Sequence, residues 1–396
     1  MAWEQRKLGE VAYLSGRIGW KGLTAKEYTK SGPLFTSVHS LNHGDYVDFS
    51  EAFHISQERY DESPEIMLAA SDILICKDGA GIGKLGIVAE VPGPATINSS
   101  LLLIRANQGV DPKFLYRALC SPIFQNIVQE KIDGATTPHL YQREIRQFSV
   151  PIPPLPDQKR IVALLDEAFE GIDTAIANTE KNLANTRELF DSYLSSVFTQ
   201  KGQGWIERRF GDICENLDSK RVPITKSDRV SGEIPYYGAS GIVDHVSGHL
   251  FDEDILLISE DGANLLARTY PIAFSVAGRS WVNNHAHVVC FDRFETQKIV
   301  EFYLNSISLA PYVSGMAQPK LNQASLNAIV VPVPPIAEQG RIVGKAEMLR
   351  VEVERLESTY RKKLDALADL KQAILRKAFA GELTAISEAA LPEAAE

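Results

Sequence analysis

The stretch VPIPPLPDQKRIV at residues 150–162 occurs a second time as VPVPPIAEQGRIV at residues 331–343. The copies are offset by 331 − 150 = 181 residues, and eight of their thirteen positions are identical. A fixed-period repeat that extends well beyond the motif indicates two copies of one structural unit. The same offset pairs residues on both sides of it: Gly134 with Gly315, Pro138 with Pro319, Leu140 with Leu321, Gln142 with Gln323, Leu183 with Leu364, Leu194 with Leu375, and Phe198 with Phe379.

A long helix is predicted after each copy of the motif. Four prolines exclude a helix over residues 150–156, and Asp157 then stands where a helix would be capped. The helix predicted over 157–199 carries an apolar stripe in steps of four and three, close to heptad spacing. The second helix repeats that stripe, with Lys371 as the exception. Because neither stripe can stay exposed, we expect the helices to pack as an antiparallel coiled coil with pseudo-two-fold symmetry.

A globular module is predicted before each helix. WEQRKLGEVA (3–12) is echoed by WIERRFGDIC (205–214), and DILICKDGA (72–80) by DILLISEDGA (254–263). INSSLLLI (97–104) pairs with VNNHAHVV (282–289). Short apolar runs separated by Gly, Pro, Asn and Asp predict strands. After these runs, each module has apolar residues at helical spacing, which predict a helix. The strands are predicted at Ile73–Ile75, Gly86–Val88, Leu101–Ile104, Ile255–Ile258 and Val288–Phe291, and the helices at Asp111–Val128, with starts at Pro112 and Pro122, and at Lys298–Leu309.

These patterns predict an α+β chain in which two α/β modules each precede a long helix. The predicted boundaries are 1–149 for the first module, 150–200 for the first proline-led helix and 201–330 for the second module. The second proline-led helix follows at 331–384, and a flexible tail at 385–396.

Composition limits the class of protein. The chain has 396 residues, of which 44% are hydrophobic and 23% charged, as in soluble globular proteins. The segment MAWEQRKLGEV has no apolar region typical of a signal peptide, no apolar run approaches a membrane span, and the four cysteines are widely spaced, so we expect the cytoplasm. The net charge is −10, and none of the predicted segments is basic, which by itself argues against nucleic-acid binding.

The predicted symmetry nevertheless favours a DNA partner. Two equivalent modules at opposite ends of an antiparallel helix pair would face the same side. Duplex DNA presents half-sites to dimeric readers about 34 Å apart, or at multiples of that spacing.

Over almost its full length the pattern resembles the specificity subunit of type I restriction–modification enzymes. The resemblance is carried by the two proline-led motifs, the two module openings, and the DGAGIGK and DGANLLA turns after a strand. It implies that each module is a target recognition domain for one half of a split, asymmetric double-stranded DNA site. It also implies that the helices set the spacer and dock two methyltransferase subunits for adenine N6 methylation.

The resemblance implies further partners but no chemistry in this chain. Motor–nuclease subunits would join to cleave unmodified DNA. S-adenosylmethionine, ATP and Mg would be bound by those partner subunits, whereas this chain would bind no cofactor and no metal and would hold no catalytic residue.

Candidate DNA-binding residues are the polar, aromatic and basic side chains predicted on turns, because such groups read base edges. The resemblance transfers no residue-level roles, since these modules vary with the sequence they read. An ordinary exposed loop position is the alternative for each. The candidates are His39, Asn42, His43, Tyr46, Lys77, Lys84, Thr137, His139, Gln142 and Arg143 in the first module, and Tyr236, Tyr237, Ser240, Arg279, Asn283, Asn284, His285, Gln318 and Lys320 in the second.

Three features of the sequence admit other interpretations. Gly81–Gly86 matches GxGxxG after a strand, but a strand rather than a helix is predicted next, which indicates a turn instead of a dinucleotide site. His285 and His287, with His245 and His249, lack metal-ligand spacing and are interpreted as polar loop residues. The absence of basic segments leaves one rival function, a coiled-coil scaffold that joins two protein-binding modules without DNA contact.

Overall fold

The computed structural model describes residues 3–17, 23–132, 139–315 and 318–382. The chain divides into two compact units. Unit 1 is Met1–Asn178 with Lys363–Glu396, and unit 2 is Thr179–Lys362. Each unit therefore contains one module and a stretch of both long helices. The predicted tail at 385–396 lies outside the described residues.

Unit 1 is organised around an antiparallel four-stranded sheet in the order β2-β8-β5-β6. A smaller sheet, in the order β4-β3-β7, lies beside it, and β1 pairs with β9. Its strands are β1 (Glu4–Lys7), β2 (Ala12–Gly16), β3 (Thr29–Thr36), β4 (Phe53–His54), β5 (Ile73–Cys76), β6 (Leu85–Ile87), β7 (Ala95–Ile97), β8 (Leu101–Ala106) and β9 (Ser149–Ile152). Its helices are α1 (Leu8–Val11), α2 (Gln57–Asp61), α3 (Pro112–Cys120), α4 (Pro122–Ile132) and α5 (Gln142–Ile145), and the long helix α6 (Leu155–Gln200) begins in it.

Unit 2 repeats this plan. Its central sheet has the order β11-β18-β15-β16, its second sheet the order β13-β12-β17-β14, and β10 pairs with β19. The strands are β10 (Ile206–Arg209), β11 (Glu215–Asn216), β12 (Ser231–Gly238), β13 (Gly241–Val246), β14 (Phe251–Asp252), β15 (Ile255–Ser259), β16 (Ala273–Val276), β17 (Arg279–Val282), β18 (Ala286–Cys290) and β19 (Val330–Val333). The helices are α7 (Asn264–Ala267), α8 (Phe294–Ser306) and α9 (Gln323–Ala328), and the second long helix α10 (Ile336–Phe379) begins in it.

The long helices pack against each other within each unit. In unit 1 the start of α6 meets the end of α10, where Leu165 and Phe169 join a core with Leu375. In unit 2 the end of α6 meets the start of α10, where Leu194 and Phe198 join a core with Ile342, Val343 and Ala346. A start that packs on an end means that the helices run antiparallel, and the predicted fold is confirmed.

Lys371, the polar residue in the second stripe, is accommodated by charge and by an aromatic ring. Its ammonium lies 2.5 Å from an Asp173 carboxylate oxygen and 5.0 Å from the centre of the Phe169 ring. A cation over an aromatic face is attracted by the ring quadrupole. Lys371 therefore still packs at the contact between the long helices, although the residue is not apolar.

The proline-rich motif forms a strand and then the first helical turn. Pro151 in β9 pairs with Gln5 of β1, and β19 pairs with β10 in the same way. A two-stranded ribbon tolerates proline because one edge of each strand is unpaired. The prediction that residues 150–156 exclude helix was wrong at its end, since α6 already begins at Leu155. Pro156 fits the first turn, where amide groups have no intrahelical partner, and Asp157 lies inside the helix instead of capping it.

Candidate functional site

In unit 1 a tight turn after the central strand β5 brings predicted candidates together. The Gly83 amide donates to the Cys76 carbonyl (2.9 Å). A Cβ on Gly81 would lie 2.6 Å from Val38 Cγ2, so the turn packs directly on the segment that contains His39. Lys84 in the turn then donates to Asn42 Oδ1 (2.7 Å).

The other side of the same turn holds an aromatic and basic group. The Leu140 amide donates to the Lys77 carbonyl (2.9 Å), and the Asp78 carboxylate contacts His139 Nδ1. The His139 and Tyr141 rings lie 4.4 Å apart, and the Arg143 guanidinium lies 5.1 Å from the Tyr141 ring. We define the unit 1 edge as Asn42, Lys77, Asp78, Lys84, His139, Tyr141 and Arg143.

Unit 2 builds the same edge after its central strand β15. The Leu321 amide donates to the Glu260 carbonyl (2.8 Å), as Leu140 does to Lys77 in unit 1. The Glu260 amide donates to the His285 carbonyl (2.9 Å), as Lys77 does to Ser100. Asp261 contacts His285 Nδ1 at 2.9 Å. We define the unit 2 edge as the polar residues Ser240, Glu260, Asp261, Asn284, His285 and Lys320.

A charge network supports the unit 2 edge. Glu260 lies 2.7 Å from an Arg221 nitrogen and 3.1 Å from the Lys320 ammonium. Burial would raise the pKa of Glu260, but the hydrogen bond from Arg221 and the charge of His287 outweigh burial and lower it. The carboxylate therefore stays ionised and holds Lys320 at the edge.

His287 connects this network to the core. It is 1% exposed and lies in β18, so its interpretation as a polar loop residue was wrong. Its Nδ1 lies 2.6 Å from an Asp218 carboxylate oxygen, and its Nε2 lies 2.8 Å from the Leu321 carbonyl. Both partners are acceptors, so the ring lies between the Asp218 turn and the Leu321 segment and contacts each through one nitrogen.

Asp218 is the counter-ion in this arrangement. Burial would raise its pKa, but the hydrogen bonds from His287 and from the Val288 amide outweigh burial and lower it. The contacts of His287 with the Asp218 carboxylate and the Leu321 carbonyl keep the Leu321 segment, and with it Lys320, in a defined position.

Several candidates have structural roles instead. Tyr236 is 1% exposed, and its hydroxyl accepts a hydrogen bond from the Ile224 amide (3.0 Å). The prediction that Tyr236 binds DNA was therefore wrong, because this residue belongs to the core. Asn283 is buried and accepts from the His285 amide (2.8 Å), which shapes the loop rather than facing a partner. Gln142 donates to the Leu14 carbonyl (2.8 Å).

Other candidates lie apart from the edges or at their margins. Arg279 is exposed beside Asp252 at the start of β17, about 13 Å along the strand from Asn283. Tyr237 is half-buried, with its ring 6.0 Å from that of Phe274. His39, His43, Tyr46 and Gln318 are exposed, and Thr137 lies outside the described residues.

Sequence reasoning missed the glutamine that both motif copies share. Gln158 is buried, donates to the Pro153 carbonyl (2.8 Å) and accepts from the Asp111 amide (2.7 Å). Gln339 donates to the Pro334 carbonyl (3.0 Å) and accepts from the Thr296 hydroxyl (2.8 Å). Each glutamine fastens the start of a long helix to its module. The sequence signal that could have identified this glutamine is that it is identical in both copies of the motif.

In the part of the chain that the structure describes, no three His, Cys, Asp or Glu side chains are grouped as metal ligands. None of the helices within the described ranges has an apolar stretch of the length needed to cross a membrane.

Comparisons with known proteins agree with this architecture. The family model described as type I restriction modification DNA specificity domain matches twice, at residues 2–185 and 202–349. A candidate type I restriction enzyme specificity subunit of Haemophilus influenzae is 37% identical over 132 residues, which are 33% of this chain and 34% of that protein. The StySPI specificity subunit of Salmonella potsdam is 21% identical over 99% of this chain and 91% of its own length.

A solved structure shares the fold over nearly the full length. It belongs to work on complex assembly and conformational transition of a type I R-M system. The TM-score is 0.76 with 19% identity, and the match covers 96% of this chain and 98% of that one.

Proposed function

Because this chain belongs to the family of type I restriction–modification DNA specificity domains, of which it carries two copies, we propose that it is the DNA-recognition subunit of such a complex. Unit 1 reads one half-site and unit 2 reads the other, each through the edge defined above. The observation that carries the proposal is that the same backbone frame presents two different sets of polar side chains after β5 and after β15. One frame with two side-chain sets suits a split, asymmetric DNA site.

We further propose that the chemistry belongs to partner subunits. Two methyltransferase subunits would bind S-adenosylmethionine and methylate adenine N6, and motor–nuclease subunits would use ATP and Mg. This chain would contribute recognition and positioning but no catalytic group. The cytoplasm is the proposed location, because the substrate is chromosomal or incoming DNA.

The net charge of −10 is compatible with this role if partner subunits supply much of the phosphate contact. Phosphate contacts position a protein on DNA, whereas base contacts specify the sequence. The bare chain should therefore bind DNA weakly, and the complex with methyltransferase should bind with a steep dependence on salt.

A methylome tests the proposal. The chain is expressed with the methyltransferase encoded beside it in a host that lacks DNA methylation, and N6-methyladenine is mapped. We expect a split motif with a fixed spacer that disappears when this chain is omitted. A stable complex with intact methyltransferase but no methylation would favour the scaffold that joins protein-binding modules.

A further inference from the structure

The β12–β13 hairpin of unit 2 ends in an apolar tip. Ile242 and Val243 are 52% and 55% exposed, although they are large aliphatic side chains. Successive residues of a regular strand point to opposite faces, so one of the two would ordinarily face the core. Their joint exposure means that the strand departs from regular geometry at this point.

A β-bulge explains how the tip presents both residues. Tyr237 pairs with Ile242, but Tyr236 pairs with Asp244, which leaves Val243 without a partner across the ribbon. A bulge of this kind bends a strand and re-aims a side chain. Gly238 permits the arrangement, because a Cβ there would lie 3.0 Å from Val243 Cγ1.

The tip is fixed to the unit 2 edge. The Ser259 hydroxyl, at the end of the central strand, donates to the Ala239 carbonyl in the hairpin turn (2.5 Å). The Asn283 amide donates to the Tyr237 carbonyl (3.1 Å). Since β12 lies between β13 and β17, Ile242 and the loop at Asn284 are two strand spacings apart, about 10 Å.

Unit 1 has a different structure at the equivalent place. Thr36 pairs with Ile97 there as Tyr237 pairs with Val282 in unit 2, so the two chain segments correspond. After Thr36 the chain forms a short helical turn at Val38–Leu41, which exposes His39 and leads to Asn42. An exposed apolar pair therefore lies beside the unit 2 edge, where unit 1 has the polar turn at His39 and Asn42.

We propose that Ile242 and Val243 are specificity-determining residues that contact thymine methyl groups in the major groove. The inference rests on the proposed function. The major groove, about 12 Å wide, admits a two-stranded ribbon, and the thymine methyl is the apolar group that it displays. The neighbouring Ser240, Asn284 and Lys320 supply the hydrogen-bonding groups that read the adjoining base edges.

Thymine-to-uracil substitution tests this contact, since uracil lacks only the methyl group. Once the methylome has given the motif, duplexes are made with uracil in one half-site or in the other. Affinity of the complex of this chain with its methyltransferase is measured at fixed salt. For the unaltered chain we expect uracil in the unit 2 half-site to weaken binding about fourfold per contacted methyl.

The double variant Ile242→Ala/Val243→Ala should bind thymine DNA more weakly and lose the thymine-to-uracil difference in that half-site alone. Val230→Ala is the matched control, because Val230 is 66% exposed at the far end of the same ribbon. This variant should leave unchanged the ratio of the affinities for thymine and uracil DNA. Val243→Thr keeps the shape of the tip and removes one methyl, so it should reduce the ratio without a loss of folding.

A double variant that keeps the ratio of the unaltered chain would overturn the inference. Sequence-specific binding with no thymine-to-uracil difference in either half-site would also overturn it, while leaving the proposed function in place. If the complex did not distinguish its methylated motif from scrambled DNA, the proposed function itself would fail, and this inference with it.

Discussion

Lys77 and Glu260 occupy the same position in the two units, directly after the central strand, but their side chains carry opposite charge. In both units the backbone amide donates to a loop carbonyl and the backbone carbonyl accepts from a leucine amide. Lys77 contacts the neighbouring Asp78 at 3.5 Å, whereas Glu260 is held between Arg221 and Lys320. The frame is thus set by backbone hydrogen bonds that tolerate any side chain, so the recognition chemistry can change without a change of fold.

The two units also differ in how each module is fastened to the helices. In unit 1, Lys113 lies 3.6 Å from Asp166 of α6, and both side chains of this pair are exposed. Asp166 also lies 3.0 Å from the mostly buried Arg117 guanidinium. In unit 2, Lys298 lies 2.9 Å from Glu347 of α10, which is Asp166 shifted by the repeat offset, and 2.7 Å from Glu301. Lys298 is buried, so its ion pairs matter more than the exposed pair in unit 1.

The largest expected effect comes from removal of that buried cation. Lys298→Met leaves the buried Glu301 carboxylate without its cation, while the half-buried Glu347 keeps Arg350, and the free energy of unfolding should fall by about 3 kcal/mol. Lys113→Met, its counterpart in unit 1, should cost less than about 1 kcal/mol because the pair is solvated. Denaturant unfolding measures both, and equal losses would contradict the contrast between the units.

The two motif glutamines should come next. Gln158→Leu removes partners from the Asp111 amide and from the Pro153 and Gly109 carbonyls, which should cost about 2 to 3 kcal/mol. Gln339→Leu leaves the Pro334 carbonyl and the Thr296 hydroxyl without that partner and should cost about 1 to 2 kcal/mol. Thermal unfolding compares them, and a larger loss for Gln339→Leu would reverse the ranking.

A substitution in one unit should alter the recognition of one DNA half-site only. Lys84→Ala should lower the preference for the correct base about tenfold at one position of one half-site. Lys320→Ala should do the same in the other half-site. Methylome mapping of each variant gives both half-sites in one measurement. Circular dichroism checks that the fold persists. Relaxation of both half-sites by either change would contradict the modular arrangement.

Acid should weaken unit 2 through two partly buried carboxylates. Asp218 and Glu260 have pKa values below their usual range near 4, so their contribution to stability is full above about pH 4 and is lost as pH falls through the lower folded values. Hydrogen exchange read separately for each unit should show this loss in peptides of β15 and β18. The double variant Asp218→Asn/Glu260→Gln should make the stability of unit 2 less dependent on acidic pH. The same loss in the variant as in the unaltered chain would show that these two carboxylates are not its cause. At neutral pH the contribution of both carboxylates is fully present and no stability is lost, so this is the smallest of the expected effects.

Much of the architecture could be predicted because it depends on periodicity. The repeat offset, the helical stripes and the apolar runs gave the two long helices and the central strands β5, β8, β15 and β18 to within a few residues. The pairing of INSSLLLI with VNNHAHVV also holds, since Asn98 and Asn283 each accept from the amide two residues later. The short strands β9 and β19 were missed, because proline-rich sequence indicates extended chain but does not reveal a pairing partner.

The candidate site was only partly predictable. Residue type selected Lys84, His139, His285 and Lys320 at the edges, but it also selected Tyr236, whose hydroxyl is satisfied in the core. It overlooked Ile242 and Val243, because apolar residues in a strand pattern are ordinarily assigned to the interior. Burial depends on packing partners distant in sequence, and one sequence does not reveal which of two polar side chains faces solvent.

By itself the sequence determined that the chain contains two modules and two matched helices, because an internal repeat and an apolar stripe are properties of residue order. Tertiary structure decided which polar groups meet at each edge. Asp218, Glu260 and His287 come from separate strands and loops, and the pKa values of the two carboxyl groups are lowered by hydrogen bonds and charges that outweigh their burial. It also decided that a bulge turns two aliphatic residues outward, since strand register is set by cross-strand hydrogen bonds and not by hydrophobicity alone.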